Sequence, residues 1–172
     1  MLIFFSPLFI ILFIVCFIET GKPLFLQNRI GKFKRPFTLY KFRTMKVNTP
    51  SMASHLVNDK LITNFGRLIR SLKLDELPQL INVINGEMSL IGPRPCLFNQ
   101  EALIKEREIF EIFSVKPGIT GLAQIKGVDM SDPKKLTMLD KQMIDSLSLK
   151  SYFSYLLLTF IGKGIGDRII NK

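Results

Sequence analysis

The chain has 172 residues, 47% of them hydrophobic and 22% charged, with a mean hydropathy of +0.25; this excludes a polytopic membrane protein and gives enough chain for one domain with a real core. Two cysteines, Cys16 and Cys96, and a lone histidine, His55, exclude a disulfide scaffold and a Cys/His metal centre, and suit a reducing compartment. A formal net charge of +10 demands an anionic partner, whether nucleic acid, acidic lipid or a phosphorylated substrate, without choosing among them.

Met1 to Ile18 carries no charge, and its length is close to the roughly 20 apolar residues needed to cross about 30 Å of hydrocarbon. It lacks the basic start and small-residue cleavage site of a signal peptide. Ser6-Pro7 interrupts the run, and a proline without an N–H breaks or kinks a helix. Two forms stay open: one anchor helix with a harmless kink, or a helix that bends and leaves by the face it entered. Residues 1–20 are thus expected to be membrane-inserted, with 21–172 forming a single domain. Lys22, Arg29, Lys32, Lys34 and Arg35 follow at once, and such cations favour the cytoplasmic side and anionic headgroups.

Leu24–Ile30 and Pro36–Met45 are predicted strands joined through residues 31–35. Alternation puts Leu39, Lys41 and Arg43 on one face of the second, where two cations could clamp a phosphate or merely form a solvated basic edge. Lys46–Lys60 reads as a polar surface loop with His55 as a bystander. Thr63 or Asn64 caps a short helix to about Leu72 that carries Arg67 and Arg70 one turn apart. A second helix is predicted to start near Asp75-Glu76-Leu77-Pro78, with Leu77, Leu80, Ile81 and Ile84 as its buried stripe and Asn85-Gly86 as its end. Pro93-Arg94-Pro95 is stiff. Gln100–Phe113 reads as an amphipathic helix, Pro117–Gly121 as a turn, and Tyr152–Ile161 as a helix lying in a membrane interface.

The densest chemistry is Arg70, Asp75, Glu76 and Arg94. A carboxylate can attack phosphorus to give an acyl phosphate, a neighbouring acid can hold Mg2+, and arginines match non-bridging phosphate oxygens. Spacing alone leaves the plainer reading open: two acids capping a helix, and an arginine making a structural ion pair.

Ser71 to Pro95 spells SLKLDELPQLINVINGEMSLIGPRP, with LYKFRTM before it at Leu39–Met45 and VKPGITGLAQIKG after it at Val115–Gly127. These three segments, in this order, closely resemble the bacterial sugar transferase family, the monotopic phosphoglycosyl transferases, over nearly the whole chain. The resemblance implies a phospho-sugar transferred from a UDP-sugar to polyprenyl (undecaprenyl) phosphate with release of UMP, at the cytoplasmic face of the bacterial inner membrane and without nucleic acid. Asp75 matches the nucleophile and Glu76 the Mg2+-binding acid. Arg70, Lys41, Arg43 and Arg94 match phosphate-binding positions, and Asp140, in a Leu-Asp pair that fits the family, is a further candidate for the site. Ser6-Pro7 matches the break of a re-entrant membrane helix. The sequence departs from the family at Leu122, where tryptophan is usual, at Lys126-Gly127-Val128, and at Met143 in place of a tyrosine. The expected fold is α+β: a small antiparallel hairpin, amphipathic interfacial helices and a kinked, re-entrant-type N-terminal helix. The competing reading is a membrane-tethered basic module that binds nucleic acid or acidic lipid, its acids only capping a helix.

Overall fold

The computed structural model of the chain describes residues 2–47, 49 and 61–161; His55 and most of the expected Lys46–Lys60 loop lie outside the described residues. The fold is mixed α and β, as expected. Among the described residues it contains α1 (Leu2–Thr20), β1 (Leu24–Ile30), β2 (Pro36–Phe42), α2 (Asn64–Ser71), α3 (Gln79–Ile84) and β3 (Ser89–Ile91), followed by α4 (Glu101–Ile109), β4 (Gly118–Thr120), α5 (Leu122–Ile125), α6 (Pro133–Asp145) and α7 (Leu149–Phe160). β1 and β2 pair in a hairpin, necessarily antiparallel because residues 31–35 are too few for a crossover. The chain resolves into two compact units, one drawn from Met1–Gln27 and Tyr40–Gln79, the other from Asn28–Leu39 and Leu80–Ile165.

In the first unit α1 is one helix that continues through Pro7. Its inner face puts Leu12 and Cys16 into a core with Phe42 and Ile69, flanked by Leu8, Phe9, Leu24, Phe65, Leu74 and Leu77. Its outer face is apolar as well: Ile10, Ile11, Phe13, Ile14, Phe17 and Ile18 are between 38% and 78% exposed. Among the described residues no helix is long and apolar enough to cross a membrane. Thr63 caps α2 as expected, its hydroxyl accepting from the Gly66 N–H at 3.0 Å. The cap is tied to the end of the KFRTM segment, since Thr63 N–H donates to the Thr44 carbonyl at 3.0 Å and Met45 pairs with Ile62. Gly66 faces that segment so closely that a Cβ would lie 2.9 Å from Thr44 Cα.

The second unit holds a parallel pair that the sequence reading missed. Pro117–Gly121, expected as a turn, contains β4, which pairs with β3 in the register Ser89↔Gly118 and Ile91↔Thr120. The two strands touch through glycine: a Cβ on Gly92 would sit 2.7 Å from both the Gly118 nitrogen and the Lys116 carbonyl oxygen. Three-residue strands lack the alternation that identifies longer ones, and glycine in a strand signals close backbone approach as well as a turn. The crossover between them carries α4, shorter than the expected 100–113 because Glu111, at φ 54, turns the chain before a separate helical turn at Ile112–Ser114.

The predicted helix at Asp75 also differs. The acids sit in a 3-10 turn, Leu74–Glu76, and α3 starts only at Gln79. Its buried face is polar, with Gln79 at 3% and Asn82 at 0% exposure, whereas Ile81 and Ile84 of the expected stripe are 39% and 60% exposed. Asn82 explains the inversion. Its side-chain amide donates to the Thr38 carbonyl of β2 and to the Glu87 carboxylate, each at 2.7 Å, and its main-chain carbonyl accepts from the Glu87 and Met88 N–H groups. Burying this side chain satisfies a strand carbonyl that would otherwise be orphaned.

Candidate active site

The first unit gathers four charged side chains away from solvent: Asp75 is 2% exposed, Glu76 6%, Lys41 7% and Arg70 8%. Strand alternation delivers the lysine. Phe37, Leu39 and Lys41 are the buried positions on one face of β2, so Lys41 points inward as an apolar residue would. Its ammonium donates to Glu76 Oε1 at 3.1 Å. The acids are delivered by their neighbours: Leu74 and Leu77, on either side, pack on the core of Leu12, Cys16, Phe42 and Ile69, which draws Asp75 and Glu76 in with them. The turn is entered through Lys73 in the left-handed conformation, φ 58, with its N–H on the Arg70 carbonyl at 3.0 Å. That backbone costs a non-glycine residue about 1 kcal/mol. Neither acid is the residue directly before α3; both lie in the 3-10 turn ahead of it.

Arg43 lies just beyond β2, which ends at Phe42 rather than at Met45. Its Nε donates to the Lys22 carbonyl at 3.0 Å and its Nη2 to the Leu24 carbonyl at 3.2 Å, with the Phe25 ring 5.5 Å from the guanidinium. Arg43 thus spends two donors on the backbone that follows α1, while Lys41 donates to Glu76. Burial draws the Arg43 guanidinium below its ordinary value. Pro7 is exposed within α1, and the Ser6 side chain lies outside the described residues.

Arg94 and Asp140 belong to the second unit. Arg94 is half-buried between Pro93 and Pro95, both buried. Every carbonyl from residue 93 to residue 96 is held: Pro93 by the Gly118 N–H at 2.9 Å, Arg94 by Arg107 Nη1 at 2.8 Å, Pro95 by Arg29 Nη1 at 3.0 Å and Cys96 by the Ile30 N–H at 3.0 Å. Arg29, expected on a basic surface next to headgroups, is instead 6% exposed and turned inward. Asp140, a candidate substrate ligand by resemblance, is bound to Arg107 Nη2 at 2.6 Å, each side chain 2% exposed. Burial pushes the Asp140 carboxyl above its ordinary value, against the pull of Arg107. It also pushes the Cys96 thiol up, which leaves that buried cysteine unreactive.

Sequence reasoning passed over Arg107. Its signal was positional: it stands four residues after Leu103, and both are buried on one face of α4. The two departures from the family pattern at Leu122 and Met143 prove to be neighbours. Both are buried in one cluster with Ile91, and the Leu122 N–H meets the Met143 sulfur at 3.3 Å. Leu122 therefore replaces tryptophan inside a core rather than at a membrane interface. Among the described residues no three His, Cys, Asp or Glu side chains gather as a metal cage.

Comparison with known proteins agrees with the motifs. The family model described as bacterial sugar transferase matches residues 1–163. The uncharacterized sugar transferase EpsL of Bacillus subtilis (strain 168) is 43% identical over 153 residues, 87% of this chain and 75% of that protein. The UDP-N-acetylgalactosamine-undecaprenyl-phosphate N-acetylgalactosaminephosphotransferase of Aeromonas hydrophila is 43% identical over 70% of this chain, which spans 30% of that longer protein. The UDP-glucose:undecaprenyl-phosphate glucose-1-phosphate transferase of Caulobacter vibrioides is 38% identical over 72% of this chain and 48% of its own length. The chain belongs to the bacterial sugar transferase family.

Proposed function

We propose that the chain transfers a sugar phosphate from a UDP-sugar to undecaprenyl phosphate, releasing UMP, at the cytoplasmic face of the inner membrane of a bacterium. The observation that carries this reading is the buried set Asp75, Glu76, Lys41 and Arg70. Withdrawing four charges from water opposes folding, so capping or solubility would not require it, whereas phosphoryl transfer calls for fixed charges around a phosphate. Family membership supplies the reaction class, and the names of the Aeromonas and Caulobacter relatives supply donor and carrier types.

In the proposed reaction an Asp75 carboxylate oxygen attacks the phosphorus that bears the sugar. The bond from that phosphorus to the bridging oxygen breaks, and UMP leaves with the oxygen and its electron pair. Asp75 then carries the sugar phosphate as an acyl phosphate. A phosphate oxygen of undecaprenyl phosphate attacks the same phosphorus, freeing the carboxylate and giving the polyprenyl diphosphate sugar. Arg70 is assigned to the non-bridging oxygens, whose planar pairing suits a guanidinium, and the family likeness assigns Arg94 to a phosphate of donor or carrier. Lys41 holds Glu76 in place, and Arg43 secures the backbone after α1.

Mg2+ fits this donor set in one respect. It binds through one or two carboxylates plus substrate phosphates and water, not a full protein cage, and Asp75 and Glu76 are adjacent acids in one turn. Glu76, with one oxygen on Lys41, is the residue proposed to hold it. When bound, the ion neutralises charge on the donor diphosphate and on the departing UMP. The experiment is UMP release by detergent-purified protein given undecaprenyl phosphate, Mg2+ and UDP-glucose, UDP-galactose or UDP-N-acetylgalactosamine. Release with one donor, abolished by chelation, is the expected result. Release that ignores Mg2+ would remove the metal from the mechanism, and no release from any of the three would reject this choice of donors.

The membrane part of the proposal rests on α1. Its six exposed apolar side chains, roughly half open to solvent, are worth on the order of 5 to 10 kcal/mol if lipid covers them. Full-length protein is expected to float with liposomes. Ile14→Glu with Ile18→Glu, two residues on that outer face, should leave most of it in the soluble fraction; undiminished flotation would reject α1 as the contact.

A further inference from the structure

We propose that Arg107, oriented by Asp140, is a positioning residue that aims the Arg94 side chain by holding its carbonyl, and that it affects the reaction only through Arg94. This rests on the reading of Arg94 as a phosphate ligand.

The direction of a side chain is set by its backbone, and the backbone at Arg94 is set by two peptide planes. The plane before it carries the Pro93 carbonyl, which accepts from the Gly118 N–H at 2.9 Å. The plane after it carries the Arg94 carbonyl, which accepts from Arg107 Nη1 at 2.8 Å. With both planes tied, φ and ψ of Arg94 are fixed, and so is its Cα–Cβ bond. Pro93 and Pro95 add their own fixed φ on either side, and Arg29 ties the next carbonyl along. Arg107 is the member of this clamp that needs help. A long side chain holds a carbonyl in one direction only if its fork is anchored, and Asp140 anchors it at Nη2, 2.6 Å away.

The chemistry of the pair argues that its role is geometric. Both partners are 2% exposed, and burying two ions costs more solvation than their attraction returns in many proteins, so that apolar replacements of similar volume are tolerated or stabilising. The upward displacement of the Asp140 carboxyl is consistent with that cost. An apolar pair would fill the same space but has no donor for the Arg94 carbonyl. A charged pair in this position therefore contributes direction, not stability. It also gives the family-like Asp140 a role through Arg107.

The test is a double-mutant cycle on the full-length protein, measuring UMP release with the three UDP-sugars and undecaprenyl phosphate. Arg107→Met with Asp140→Leu removes both charges and keeps the volume. In the Arg94 background it is expected to lower kcat/KM by about ten- to a hundredfold, the scale of a misplaced binding group, with the melting temperature unchanged or raised. In the Arg94→Ala background the same pair of substitutions should cost nothing further. An equal loss in both backgrounds, or a loss that follows a fallen melting temperature, would overturn the positioning role and leave the Arg94 reading intact. An Arg94→Ala variant as active as the parent would overturn that reading and this proposal with it.

Discussion

Asp75→Asn is expected to lower UMP release by a factor on the order of ten thousand or more, the scale seen when the nucleophile of a covalent mechanism is removed. The substitution is nearly isosteric and keeps one carbonyl oxygen, so it changes the chemistry of the side chain and little of its shape. An amide oxygen is a poor nucleophile toward phosphorus, and no other carboxylate takes over: Glu76, the adjacent acid, is engaged by Lys41 at 3.1 Å. Folding should survive, because Leu74 and Leu77 hold the turn in the core by themselves. A second readout separates nucleophile from electrostatic helper. Given UDP-sugar without undecaprenyl phosphate, the parent protein should gain the mass of one sugar phosphate, and the Asn variant should not. A variant that keeps substantial turnover would sink the covalent mechanism, and a parent that turns over without ever gaining mass would point to direct transfer between the two substrates.

How much of this was legible beforehand depended on whether the signal was local. The hairpin, the helix start at Thr63 or Asn64 and the shared face of Leu39 and Lys41 are short-range features, governed by strand pleat and by hydrogen bonds within three residues, and they were read correctly. The stripe at Leu77, Leu80, Ile81 and Ile84 held at Leu77 and failed at Ile81 and Ile84, because periodicity assumes that the apolar face is the buried one. In α3 the decisive residue is Asn82, whose partner Thr38 lies 44 positions away. β4 failed for the same reason: a three-residue strand is defined by its partner, β3, across a long crossover. Motif likeness drew attention to Asp75, Glu76, Lys41, Arg70 and Arg94 and offered Asp140 as a further candidate, while charge beside the apolar run placed Arg29 among headgroup-facing cations. Both are buried ties on the Pro-Arg-Pro segment, one through Arg107 and one directly. Charge content read from sequence counts cations and does not say which way they point.

Lys41→Met is the second substitution with a large expected effect, and it acts first on stability. Lys41 and Glu76 have side chains 8% and 7% exposed. Removing the ammonium leaves the Glu76 carboxylate buried without that partner, and breaking a buried pair from one side typically costs about 3–5 kcal/mol. At roughly 2–4 °C per kcal/mol for a chain of this size, the melting temperature should fall by roughly 6–20 °C. Adding Glu76→Gln removes the charge that needed the lysine, so the double variant is expected to recover most of the lost stability. Activity should not recover, since the glutamine gives Mg2+ a neutral oxygen where the reaction is proposed to use a carboxylate. Thermal melts and UMP release on these three proteins thus separate a structural from a catalytic role for Glu76. If Lys41→Met melts with the parent, the pair is not what holds Glu76 in the core. If the double variant regains turnover along with stability, Glu76 serves the fold, and the metal must be sought elsewhere.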